Sequence, residues 1–313
     1  MPDFITPKIS LPKAKTGQVR LADLLSRPSV NTYEKASLVF LGFPSDQGVI
    51  KNGGRAGASL GPSALRQALY GMSPHPELFE KFVALISNSV DLGDLVLSGD
   101  LATDQNTLAE TIAPFLERKQ RVVILGGGHE TTYGHFLGYV KAGIKSSIIN
   151  FDAHPDVRPL IEEQPHSGSP FRQAIEHPSG LLNKYTVVGL QPQQCSHEHL
   201  KYLRANKAEY IWRTAFPLED FAQFFLNSDV RQLVSIDLDV IDQSFAPGVS
   251  APTVNGLCSR DLCQLAYEAG SSNLASSLDV VELNPHYDRD NCTAKLSATI
   301  VWWYIAAMAN QIG

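Results

Sequence analysis

Ser146-Ser147-Ile148-Ile149-Asn150-Phe151-Asp152-Ala153-His154-Pro155-Asp156-Val157-Arg158 is the stretch from which the fold can be read. Its first six residues form a short, β-rich run of the kind that makes a buried strand. Asp152, His154 and Asp156 follow where that strand should end, and a spacing of two turns all three to one side while the backbone stays extended. Two carboxylates and an imidazole are costly to gather there unless a positive charge stands between them. A metal ion is the simplest such charge.

The device recurs. Leu233-Val234-Ser235-Ile236-Asp237-Leu238-Asp239 is again a strand followed by two aspartates two apart, and Arg121 to Leu125 is a strand that runs through Gly126-Gly127-Gly128 into His129. Three strands thus carry metal-type ligands to their carboxyl ends, the edge at which open α/β sheets build their sites. Further strands are expected at Ser37 to Gly42, Val90 to Leu92, Tyr185 to Leu190, Glu209 to Trp212 and Leu278 to Glu282. Helical patterns are expected at Pro62 to Tyr70, Thr103 to Arg118, Thr131 to Val140, Ser169 to His177, His197 to Arg204, Leu218 to Asn227, Ser259 to Ala269 and within Cys292 to Gln311. This alternation predicts a parallel sheet with helices on both faces. With no internal repeat or low-complexity linker, residues 1–313 read as one domain, with 1–30 as an N-terminal arm.

Composition agrees with an ordinary globular protein: 313 residues, 43% hydrophobic and 19% charged, suffice for a large core. The net charge of -6, from 26 basic and 32 acidic residues, leaves no basic footprint for nucleic acid. Cys195, Cys258, Cys263 and Cys292 form no Cys-x-x-Cys pair, so reduced thiols in a cytoplasmic protein are expected rather than a zinc knuckle or disulfide framework. Residues 1–15 lack the apolar core of a signal peptide, and the longest apolar run, Ile300 to Ala309, is too short to span a bilayer. No membrane partner is expected.

The candidate ligands are His129, Asp152, His154, Asp156, Asp237 and Asp239. Six are too many for one tetrahedral zinc and suit two ions, particularly if Asp152 and Asp237 bridge. Four carboxylates offset two divalent charges, and oxygen and imidazole donors without thiolate favour a hard ion such as manganese. Two such ions roughly 3.5–4 Å apart can lower the pKa of a water between them enough to make it a nucleophile near neutral pH, which predicts hydrolysis at a trigonal carbon. The glycine-rich segment Gly48 to Gly57 is expected to bring backbone close to a ligand, with Asn52 and Arg55 as its polar fingers.

Gly-Gly-Gly-His at 126–129, Asp-Ala-His-x-Asp at 152–156, Ser-Ile-Asp-x-Asp-x-x-Asp at 235–242 and Asp-x-x-Glu-x-Asn-Pro at 279–285 together resemble the ureohydrolase superfamily of arginases, agmatinases and formimidoylglutamases. The resemblance runs from about Leu38 to Ala306. It implies the arginase fold, a three-layer α/β/α domain on an eight-stranded parallel sheet, and two Mn2+ per chain held by the six ligands above. It also implies that Glu282, in the last motif, receives the planar cationic head of the substrate. Trimers or hexamers occur in the superfamily, so a homo-oligomer is a plausible expectation.

The tail of the substrate separates the branches. Ser167-Gly168-Ser169-Pro170-Phe171-Arg172-Gln173 and Gln243 to Pro252 are similar to the formimidoylglutamase branch, as are the segments around Asn52-x-Gly54-Arg55 and Asn284-Pro285-x-Tyr287-Asp288. The resemblance therefore implies hydrolysis of the amidine C–N bond of N-formimidoyl-L-glutamate to L-glutamate and formamide. Two carboxylates on that tail call for guanidinium groups, and Arg172, Arg55 and Arg158 are candidates, Arg172 foremost because it lies inside the motif. Asp156, with His166 as second candidate, would relay a proton to the leaving amine. Against the family pattern, Glu130 stands where arginases carry Ser, Asn150 where a His is common, and Pro155 where a larger residue is usual. The alternatives are a ureohydrolase that releases urea from guanidinobutyrate, agmatine or arginine, a zinc deacetylase of related fold, and a non-catalytic metal-binding protein. The six-ligand set and the absence of a His-His pair weigh against the last two.

Overall fold

In a computed structural model of the chain, the described residues are 3–6, 8–11, 14–25, 30–216, 221–226 and 229–312. Among these residues, nine strands form one sheet in the order β1-β3-β2-β4-β9-β8-β5-β6-β7. They are β1 (Phe4–Ile5), β2 (Leu38–Phe43), β3 (Ser89–Leu95), β4 (Arg121–Gly126), β5 (Ser146–Phe151), β6 (Leu182–Leu190), β7 (Glu209–Trp212), β8 (Arg231–Asp237) and β9 (Ala275–Val281). β2 to β9 are mutually parallel and coincide with the eight strands expected from sequence. The ninth, β1, comes from the N-terminal arm and runs antiparallel along β3. Two residues are too short to give a periodic signal, so only pairing reveals it.

The centre of the sheet is buried on both faces, which is why β2 and β4 run apolar without alternating. In β2, Leu38 and Phe40 enter one apolar layer while Val39, Leu41 and Phe43 enter the other. The first layer lies under helices Gly61–Tyr70, Phe79–Ser87, Ser259–Ser271 and Cys292–Asn310. The second lies under Leu101–Glu117, Thr131–Lys141 and Pro170–Ile175. Ile300 to Ala309 is part of the long C-terminal helix, and among the described residues no helix is long and apolar enough to cross a membrane. Fully buried Arg66 ties its helix to β3 through ion pairs of 2.7 Å to both Asp91 and Asp94.

Other boundaries moved for local reasons. The helix expected from Thr103 begins at Leu101, because Asp100 accepts the Thr103 backbone N–H at 2.8 Å and caps it. The segment read as a glycine-rich loop from Gly48 opens with one short helix, Gln47–Lys51. Helix Phe79–Ser87 carried no expectation. The pattern at Leu218 to Asn227 partly lies outside the described residues, and the part within them holds helix Gln223–Leu226.

Register brings the site together. β4, β9, β8 and β5 are neighbours at the centre of the sheet, although β9 is the last strand in sequence. Phe151 pairs with Ile236, so Asp152 emerges beside Asp237, and Asp237 pairs with Val281, one residue before Glu282.

Candidate metal centre

His129 follows β4 through a glycine turn that presses on Ser45: a Cβ on Gly127 would lie 1.8 Å from the Ser45 carbonyl oxygen. The imidazole that this turn delivers is buried, and its Nδ1 lies 3.0 Å from Oδ2 of Asp156, 3.0 Å from Oδ2 of Asp237 and 3.4 Å from Oδ2 of Asp152. His154 Nδ1 lies 3.0 Å from Oδ2 of Asp239 and 3.5 Å from Oδ1 of Asp152. Donor atoms of His129, Asp152, Asp156 and Asp237 fall within 4.8 Å of one another, and so do those of Asp152, His154 and Asp239. Asp152 belongs to both groups. Asp237, which the sequence reading also made a bridge, falls in the first group alone.

Whether these residues suit a cation is tested by their unsatisfied atoms. His129 Nδ1 and Asp239 Oδ1 are buried without a hydrogen-bond partner, and His129 Nδ1 points into the cluster. Buried polar atoms left unpaired cost about 1–3 kcal/mol each, and a coordinated ion removes that cost. The all-oxygen and imidazole donor set suits hard or borderline divalent ions. The residues fit.

Their electrostatics agree. Burial, reinforced by Asp239 and Asp152, holds the Asp237 carboxyl well above the usual carboxylate range. Burial also pushes Asp239 up to about 6 even though His154 opposes it. Burial lowers the two histidines, but Asp156 and Asp237 carry His129, and Asp239 and Asp152 carry His154, well above the ordinary imidazole value. Asp152 moves the other way: despite its burial, the hydrogen bond from His154 and the charges of both histidines hold it low. Without cations the cluster gathers protons in their place.

Chelator-treated protein is therefore expected to melt at progressively lower temperature as pH rises. Asp239 and Glu282 bind protons more tightly folded than unfolded, so their stabilisation is complete below the ordinary carboxylate pKa and is lost as pH passes about 6 and about 8. The raised histidines act in the same direction, while Asp152, held low, matters only in acid. Saturating manganese should remove most of this slope. A melting temperature that climbs from about pH 5 to about pH 8 in chelator would contradict the assignment.

Two of the candidate residues stand on strained backbone. Asp156 and Glu282 have φ of +42° and +69°, a region that non-glycine residues enter at a cost of roughly 1–3 kcal/mol. The turn at Asp156 also means that the triplet after β5 does not continue as extended chain, so its convergence owes nothing to the period of two. Glu282 is held by its own N–H to the Gly127 carbonyl at 2.7 Å, and its Oε1 accepts the His129 backbone N–H at 2.8 Å. Burial and the neighbouring Glu130 push its carboxyl up to about 8. Glu130 is itself buried, pushed up to about 7, and anchored by Ser45 Oγ at 3.1 Å and Gly48 N–H at 2.9 Å.

A cleft of about 290 Å³ opens over the cluster, with Asp156, Glu282, Asn52, Arg55, Arg158 and Ser167 among its walls. That size suits a small metabolite. A larger groove of about 700 Å³, between helices Ser259–Ser271 and Cys292–Asn310, holds none of the candidate ligands. Arg158, exposed at the cleft, donates to Asn52 Oδ1 at 3.1 Å, and Asn52 donates in turn to Ser167 Oγ at 3.1 Å. The Arg55 guanidinium lies 3.8 Å from the Tyr287 ring centroid and donates to the carbonyls of Val249 and Ser250.

Two of the candidate residues stand apart from the cleft walls. Arg172 does not line this cleft: its helix turns it outward, where it pairs with Glu176 at 3.0 Å and covers the Tyr202 ring. His166 is buried with both ring nitrogens occupied, Nε2 against the Pro159 carbonyl at 2.9 Å and Nδ1 against the Gly168 N–H at 3.1 Å. Asn150, which sequence reasoning noted only as a departure, donates to Asp152 Oδ2 at 2.9 Å, and Asn284 donates to the carbonyls of Arg55 and Ala56 at 3.0 Å each. The four cysteines are free and half-buried.

Comparison with known proteins places this geometry. The chain is 35% identical to the formimidoylglutamase of Lysinibacillus sphaericus over 296 residues, covering 91% of this chain and 88% of that protein. It is 34% identical to the formimidoylglutamase of Rhodococcus opacus over 287 residues, covering 88% and 87%. The crystal structure of Trypanosoma cruzi formiminoglutamase with Mn2+2 superposes with a TM-score of 0.85 at 28% identity, over 93% of this chain and 99% of that one. The arginase family model matches residues 36–306, and with a parallel sheet whose central strand ends converge on two overlapping donor clusters, the chain belongs to the arginase family.

Proposed function

We propose that the protein hydrolyses the amidine C–N bond of N-formimidoyl-L-glutamate, giving L-glutamate and formamide, with two Mn2+ per chain. The observation that carries this reading is the cleft itself, whose lining brings together Glu282, donors of both overlapping clusters (Asp156, Asp237, His154 and Asp239) and the arginines Arg55 and Arg158. The names of the relatives and the manganese in the T. cruzi structure support it. The match over residues 36–306 supports reading the chain as one ureohydrolase domain.

His129, Asp152, Asp156 and Asp237 would hold one ion, and His154, Asp239 and the shared Asp152 the other. Bound there, the ions supply Lewis-acid charge and an acidified water at neutral pH. Glu282 accepts the two N–H groups of the amidinium and fixes its plane over the cluster. Water adds to the amidine carbon, the bond from that carbon to the glutamate nitrogen breaks, and formamide leaves as the other product. Asp156, which faces the cleft, takes the proton from the attacking water and passes it to the departing amine. Arg158, held by Asn52, receives a tail carboxylate, and Arg55 contributes positive charge from the other side.

Turnover of the manganese-loaded protein on formimidoylglutamate, guanidinobutyrate, agmatine and arginine tests this directly, with formamide and urea assayed together. Formamide from the first compound alone is expected, and urea from any of the others would overturn the substrate assignment. In the same assay Arg158→Ala should raise KM roughly 10-fold or more with little change in kcat, as lost uniform binding does. Arg172→Ala should match the parent within about twofold, since surface pairs contribute little.

A further inference from the structure

Beneath the candidate centre runs a buried polar chain that neither the ligand set nor the proposed reaction uses. His129 turns its Nε2 away from the cluster to Ser235 Oγ, 3.1 Å distant. Ser235 Oγ donates to Asp279 Oδ1 at 2.6 Å, and Asp279 Oδ2 meets His135 Nδ1 at 2.7 Å. His135 Nε2 then meets Ser277 Oγ at 2.6 Å. Ser235, Asp279, His135 and Ser277 are each 0% exposed. They lie between β8, β9 and helix Thr131–Lys141, inside a layer that is otherwise built from side chains such as Leu233, Phe136 and Tyr139.

The proton inventory of this chain is determined by its middle member. A serine has one proton to give, and Ser235 gives it to Asp279 Oδ1. Its lone pairs remain to accept from His129 Nε2–H and from Thr132 Oγ1–H, also at 3.1 Å. In the neutral form that ligates a cation, His129 therefore keeps its proton on Nε2 and leaves Nδ1 for the cluster. Nδ1 is also the one atom among His129, Thr132, His135, Ser235, Ser277 and Asp279 that is buried without a partner. A polar chain satisfied everywhere except at the end facing a metal site is arranged for that end.

We infer that Asp279, acting through Ser235 and backed by His135, is a positioning residue for the metal centre: it fixes the tautomer and orientation of His129 and so raises affinity at the donor set of His129, Asp152, Asp156 and Asp237. The inference rests on the metal reading of the site. It predicts asymmetry, because the hydrogen bonds of the chain end on His129 and none of them runs to His154 or Asp239.

The test is titration of metal-free protein with Mn2+ by calorimetry, for the parent, Ser235→Ala, Asp279→Asn and the double variant, with melting temperatures measured alongside. The parent should bind two ions. Each single variant should weaken one of the two binding events by about 10–100-fold and leave the other within about threefold. Because the two residues act in series, the double variant should be no weaker than the worse single one. Lower melting temperatures with both affinities unchanged would overturn the inference, leaving the chain a packing feature, and so would equal weakening of both sites or fully additive losses. If Asp279→Asn does not fold, Ser235→Ala, which removes a single oxygen, decides the question alone. A parent that binds no manganese would instead remove the metal reading, and this inference with it.

Discussion

Asp152→Asn is expected to reduce bound manganese from two ions per chain to at most one and to lower kcat/KM by roughly 10³-fold or more, since a two-ion site works only when both charges are present. Asp152 is the one side chain common to both donor groups, and its two oxygens face opposite ways: Oδ2 lies 3.4 Å from His129 Nδ1, Oδ1 3.5 Å from His154 Nδ1. The amide keeps the volume but leaves one oxygen where two are needed. It also sets an NH2 group against existing donors, the Asn150 side chain at 2.9 Å on Oδ2 and the His154 backbone N–H at 2.6 Å on Oδ1. Elemental analysis after dialysis, paired with formamide release, reads both effects. A variant that kept two ions and activity within tenfold of the parent would show that Asp152 does not join the two sites.

Glu282→Gln is expected to behave differently, losing about 10²–10³-fold in kcat/KM while two ions stay bound, the usual cost of removing one preorganised charge from a desolvated site. Glutamine retains an Oε1 to accept the His129 backbone N–H, which the carboxylate accepts at 2.8 Å, so the turn that delivers His129 survives. What disappears is a negative charge at the wall of the cleft where the amidinium would lie. The distinction between metal content and rate is the informative part. Loss of manganese together with activity would make Glu282 a support for His129 rather than the receptor of the substrate head.

Much of this site was legible in the sequence because its ligands sit at the ends of strands that announce themselves. β4, β5 and β8 are apolar runs with a sharp change to glycine, histidine or aspartate at one end, and the six candidate ligands follow them directly. The surroundings of Arg172 and His166 were not legible, for the opposite reason. Both occupy a motif, but a motif does not state which way a side chain turns once its loop is folded, and one points outward to Glu176 while the other is bound to Pro159 and Gly168. Glu130 and Asn150 were visible only as departures from a pattern: the contact that gives Glu130 meaning, to Gly48, lies across the fold, while Asn150 meets Asp152 only two residues on, through a side-chain orientation that no pattern states.

The sequence by itself determined the alternation of strands and helices, the eight parallel strands and the identity of the metal-type residues, because burial on both faces of a strand and a polar break at its end are local properties of the chain. Only the tertiary structure decided which strand ends meet. β9, the last in sequence, slots between β4 and β8, and this insertion sets Glu282 against His129 and Asp279 beneath Ser235. It is a matter of sheet order and register, fixed by packing between residues 44 positions apart at Ser235–Asp279 and 153 at His129–Glu282, and no local pattern encodes it.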